Sequence, residues 1–105
     1  MAQPTPDLTA IRDRLDDVDD RLVSLLVERG ALIEEVIHYK RANNMAVVDR
    51  AREDRMMERI TGLATERGLD PRVATSVLRA IVDAFTLVEA EELPEAPGAS
   101  PPAGS

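Results

Sequence analysis

Leu8, Ile11, Leu15, Val18, Leu22, Leu25, Leu32 and Val36 recur at steps of three and four residues, with one gap. That spacing lines one side of an α-helix with apolar groups and predicts a single helix from Leu8 to about Ala42. Continued through the gap, the stepping lands on Arg29, and four residues beyond Val36 it lands on Lys40. Two cations thus stand where the pattern reserves places for hydrophobes, and they need an anion. A helix of roughly 35 residues is about 50 Å long at 1.5 Å rise per residue, longer than a domain of this size is wide. The rest of the chain can cover only part of such a stripe. The uncovered remainder is an association surface, so the pattern predicts a dimer in which two long helices pack side by side.

Two shorter helices follow. Thr5 or Asp7 can cap the long helix, with Pro6 suited to its first turn; Asn43 and Asn44 interrupt the pattern and tolerate the left-handed backbone of a C-terminal cap. Met45 to Val48 is a short apolar connector, expected to lie against the protein. Asp49 is a good N-cap for a second helix, with Glu53 in its first turn favoured by the helix dipole. Met56, Met57, Ile60, Leu63 and Ala64 form that helix's apolar side, and Gly68 is expected to stop it. Asp70 and Pro71 start a third helix, with an apolar face of Val73, Val77, Leu78, Ile81, Val82, Phe85 and Val88. Glu89 falls on that same face, four residues after Phe85. The expected division is an N-terminal arm at 1–7, a helical domain at 8–93, and a disordered tail rich in Pro, Ala, Gly and Ser at 94–105.

Composition narrows the function. With 105 residues, two aromatic side chains (Tyr39 and Phe85) and few β-branched runs, the chain reads as one all-α domain. A formal charge of −7 argues against nucleic acid or an acidic membrane surface as a partner, so an anionic ligand must be held locally by a few cations. There is no cysteine, hence no disulfide, thiolate chemistry or cysteine-built metal site. The first residues hold no apolar signal segment and no apolar run is long enough to span a bilayer, so the expected location is the cytoplasm.

Arg29 and Lys40 are eleven residues apart, close to three helical turns, so they point the same way and can converge on one small ligand. Arg12 is seventeen residues from Arg29, about 25 Å along a helix axis. One chain cannot bring it to that ligand, but in a dimer the start of one long helix can reach the middle of the other. Simpler roles compete at each position. Arg12 and Asp16 have the spacing of a surface ion pair; Arg29 can set register in a helical seam; Lys40 can complement a helix C-terminus; Glu89 can be a structural partner of Lys40. His38 has no ligand-spaced partner and reads as a surface residue. The Asp49 to Glu53 turn is first of all a helix start.

Taken together, Leu-Thr-Ala-Ile-Arg12, Leu-Leu-Val-Glu-Arg29, Tyr39-Lys40, Asp49-Arg50-Ala51-Arg52-Glu53 and Gly68-Leu69-Asp70 make the chain resemble the all-helical chorismate mutases of the AroQ type, over essentially Leu8 to Leu93. The resemblance implies an intertwined homodimer of three-helix chains with two equivalent sites that isomerise chorismate to prephenate, a step of the shikimate pathway to aromatic amino acids or of a related secondary pathway. By position it implies that Arg29 and the partner subunit's Arg12 hold the substrate carboxylates. Lys40 and Glu89 meet the ether oxygen, Asp49 and Glu53 address the ring hydroxyl, and Arg52 supports that turn. No metal or cofactor is implied, and a partner enzyme of the pathway is compatible with it. Glu89 stands where bacterial members commonly carry Gln, and can donate a hydrogen bond only in its protonated form. Phe85 stands where familiar members carry a small polar residue, which narrows the expected pocket.

Two other reactions fit this scaffold: a mutase for 4-amino-4-deoxychorismate, and a lyase releasing pyruvate from isochorismate. An intact Asp49 and Glu53 favours a ring hydroxyl and hence chorismate. From a different class comes a non-catalytic dimeric helical binding or regulatory module, whose cations serve only as register devices.

Overall fold

Each helix begins at an aspartate. In the computed structural model, which describes residues 7–93, Asp7 Oδ1 accepts from the Ala10 N–H at 2.7 Å and opens α1 (Leu8–Ala42). Asp49 opens α2 (Arg50–Glu66), accepting from the Arg52 N–H at 3.0 Å, and Asp70 opens α3 (Pro71–Glu92), accepting from the Arg72 N–H at 2.9 Å. These carboxylates pair backbone donors that a helix start leaves without partners. The described residues hold these three helices and no strand. Thr5 and Pro6, and the tail expected at 94–105, lie outside the described residues.

Both helix ends that precede a connector close in the same way. Asn44 adopts a left-handed φ of 53° and Gly68 one of 80°. In each case the next N–H folds back five residues: Met45 to the Lys40 carbonyl and Leu69 to the Ala64 carbonyl, both at 2.9 Å. This is the Schellman arrangement, which satisfies carbonyls that the helix end would otherwise expose.

The chain divides into two units, Met1–Leu32 and Ile33–Ser105. In the first, the apolar stripe of α1 is exposed at Leu8, Ile11, Leu15, Val18, Leu22, Leu25 and Leu32. In the second, α2 and α3 pack on each other, joined by the four residues 67–70, around Met56, Ala64, Ala74 and Val82, with Ile37 only 1% exposed. Burying Ile37 contributes on the order of 1.5–3 kcal/mol.

Three expectations change here. The buried side of the last turns of α1 is centred on Ile37, while Val36, the last hydrophobe of the stripe, is exposed. On α3, Val73, Val77 and Val88 are exposed and Ala74 is buried, so the packing face is turned about one residue from the one read off the large hydrophobes. The connector is not laid down by its side chains: Met45 and Val48 are 44% and 47% exposed. It is pinned through its backbone instead, by the Met45 N–H and, as described next, the Val47 carbonyl.

Candidate active site

Lys40 is held from two sides. Its backbone carbonyl takes the Met45 N–H of the closing turn, and its ammonium donates to the Val47 carbonyl at 2.5 Å and to Glu89 Oε1 at 3.1 Å. The side chains of Lys40 and Glu89 are 13% and 8% exposed. A cation and a carboxylate that far out of water are stable only as partners, and removing either leaves the other uncompensated. An ammonium has three N–H donors, and among the described residues two are engaged.

The start of α2 supplies the second group. Asp49 spends one carboxylate oxygen on the Arg52 N–H, and its carbonyl accepts the Glu53 N–H at 3.0 Å. The contribution of Arg52 to this turn is therefore made by its backbone, its side chain being exposed. Glu53 Oε1 accepts from Arg79 Nη1 at 2.8 Å. Arg79 was not singled out from the sequence. Thr75, Arg79, Val82, Thr86 and Glu89 follow steps of four, three, four and three along α3, a row with one large hydrophobe that hydropathy alone does not mark. That row is buried or half-buried throughout. One row of α3 thus carries both ion pairs, one to α1 and one to α2, at positions about 15 Å apart along its axis.

The other expected residues lie elsewhere in the chain. Arg12 and Arg29 belong to the first unit, on α1. Arg12 is exposed and, among the described residues, makes no ion pair with Asp16, so the surface-pair role read from spacing is not taken up. Arg29 is half-buried. His38 is exposed, as its lack of partners suggested, and Phe85 is half-buried on α3. Among the described residues no group of His, Cys, Asp or Glu is placed to hold a metal ion, and no helix is long and apolar enough to cross a membrane.

The second unit therefore offers a buried ammonium, a buried carboxyl against it, and a second carboxylate fixed by an arginine at a helix start. Such a set of groups has the chemistry to bind and polarise an oxygen-rich small molecule; among the described residues none of them is set up as a nucleophile beside a base.

No solved structure matches the chain. The chorismate mutase of Methanocaldococcus jannaschii is 24% identical over 88 residues, which is 84% of this chain and 89% of that protein. The bifunctional chorismate mutase/prephenate dehydratases of Enterobacter agglomerans and Escherichia coli K12 are each 30% identical, over 82% and 78% of this chain. The chain spans only 22% and 21% of the length of those two proteins. The sequence model of chorismate mutase type II matches residues 11–90, and the chain belongs to that family.

Proposed function

We infer that the chain is a chorismate mutase, an isomerase that converts chorismate to prephenate. The observation that carries this reading, beside family membership, is the buried Lys40 ammonium, held by Val47 and Glu89. The reaction is an intramolecular sigmatropic rearrangement: a C–O bond breaks as a C–C bond forms, and no proton need be passed. Catalysis then consists of holding the folded conformer and stabilising negative charge on the ether oxygen. Lys40 supplies that charge stabilisation, and Glu89 can add a second donor only in its protonated form.

Arg29 and the partner subunit's Arg12 fix the two carboxylates, each guanidinium offering a planar pair of N–H groups. Asp49 and Glu53 take the ring hydroxyl, on a turn held by the Arg52 N–H. Borrowing Arg12 requires a homodimer, for which the exposed apolar row from Leu8 to Leu32 supplies the contact surface. The functional domain is residues 8–93, between a short arm and a tail, and the working compartment is the cytoplasm. Its product passes to a further activity of the pathway, as the prephenate dehydratase named in the bifunctional relatives would supply.

The test is direct. Purified protein mixed with chorismate should deplete its absorbance and yield prephenate, and Lys40→Ala should lower kcat by at least about 10²-fold, the scale for losing one preorganised donor, with helicity retained. Absence of turnover by the wild type would leave a binding module; a Lys40→Ala variant of near-normal kcat would return Lys40 to a structural role.

A further inference from the structure

We propose that Arg79 sets the substrate preference of this site: by pairing with Glu53 it leaves a carboxylate that accepts a hydrogen bond from a neutral ring hydroxyl but exerts little pull on a cationic ring substituent. The proposal rests on the reading of Glu53 as the group that meets the ring substituent.

Glu53 lies in the first turn of α2, its backbone fixed by the Asp49 carbonyl, with its side chain 22% exposed. A carboxylate so placed, alone, would favour a protonated amine over a hydroxyl at the facing carbon, because a charge-assisted hydrogen bond is roughly twice as strong as a neutral one. Asp49, four residues earlier, adds a second negative charge, partly offset by the positive end of α2. Arg79 changes the balance. Its Nη1 sits 2.8 Å from Glu53 Oε1, so the nearest charge to that carboxylate is already positive. The contact uses one oxygen; Oε2 keeps its lone pairs for a donor. A hydroxyl can bond there without meeting net charge, whereas an ammonium would be brought beside a guanidinium.

The position of Arg79 makes this more than a surface pair. It belongs to the same row of α3 as Glu89, and that row also touches Lys40 through Glu89. The helix that presents the carboxyl to the reacting oxygen therefore also adjusts the charge at the ring end.

The experiment compares kcat/KM on chorismate and on its 4-amino-4-deoxy analogue for the wild type, Arg79→Gln and Arg79→Lys. Arg79→Gln should raise the ratio of amino to hydroxyl substrate by about tenfold, the order expected for exposing a partly shielded carboxylate. Arg79→Lys, which keeps the charge, should stay within about threefold of the wild-type ratio. Arg79→Met, which keeps the apolar stem, repeats the measurement should the Gln variant lose helicity. Equal losses on both substrates with an unchanged ratio, or a shift towards chorismate, would overturn the proposal and make Arg79 a brace between α2 and α3. Wild-type turnover of chorismate is measured first: its absence counts against the mutase reading, whereas an active wild type with an immovable ratio counts against Arg79 alone.

Discussion

Glu89 has two chemical states with opposite effects on the proposed reaction. Protonated, it donates to the ether oxygen; ionised, it loses that hydrogen bond and presents lone pairs to an atom gaining negative charge. Lys40 is the charged group in contact with it, at 3.1 Å. Glu89→Gln, which donates in its one uncharged form, should accordingly retain kcat, whereas Glu89→Ala, which donates nothing, should lower it by about 10²-fold. A Gln variant that loses as much activity as the Ala variant would leave Glu89 as a partner of Lys40 only. Both residues were legible in the sequence because each is a charge at a position whose step belongs to an apolar row. Arg79 was not. An arginine on a half-exposed flank looks like a solvated one, and the row containing it became visible only once Ala74 and Val82 showed which side of α3 is covered.

Among the helices, termini were easier to read than faces. Asp49, Asp70, Asn44 and Gly68 do locally what their chemistry prescribes, because a cap depends on a few consecutive residues. The face of α3 and the resting place of Met45 to Val48 depend on partners distant in sequence, and hydropathy says nothing about a connector tied down by its Val47 carbonyl. The start of α3 offers a test of the local logic. The Arg72 guanidinium, then the Arg72 backbone N–H, hold the Asp70 carboxyl below its ordinary 3.8, against a small opposing effect of desolvation. A lowered value means that the folded state binds the proton less readily than the unfolded one. Its stabilisation is therefore complete above the ordinary value and is lost as pH falls through the lowered one. Asp70→Ala should lower the midpoint of thermal unfolding by a few degrees at neutral pH. The gap from wild type should narrow in acid; a gap of constant size down to the lowest pH that keeps the wild type folded would mean that the carboxylate charge is not what stabilises the turn.

For the molecule as a whole, the proposed sharing of sites predicts complementation. Arg12→Ala and Arg29→Ala chains, each inactive alone, should recover activity after subunit exchange, since a heterodimer holds up to one site with both arginines. No recovery, or an active monomer by sedimentation, would require that Arg12 serve no neighbouring site. The three helices and the long first one could be read from a single chain because periodicity along the backbone encodes them. The mate of the exposed row from Leu8 to Leu32 could not, since a stripe states that it must be covered without stating by what. That row has a further consequence under the proposed pairing. Closing it is a second-order event, so the free energy of the native state includes a contribution from mass action, and the melting temperature rises with the amount of protein in the tube. Dilution then acts on this enzyme as a denaturant does, and its specific activity becomes a property of the solution as much as of the chain.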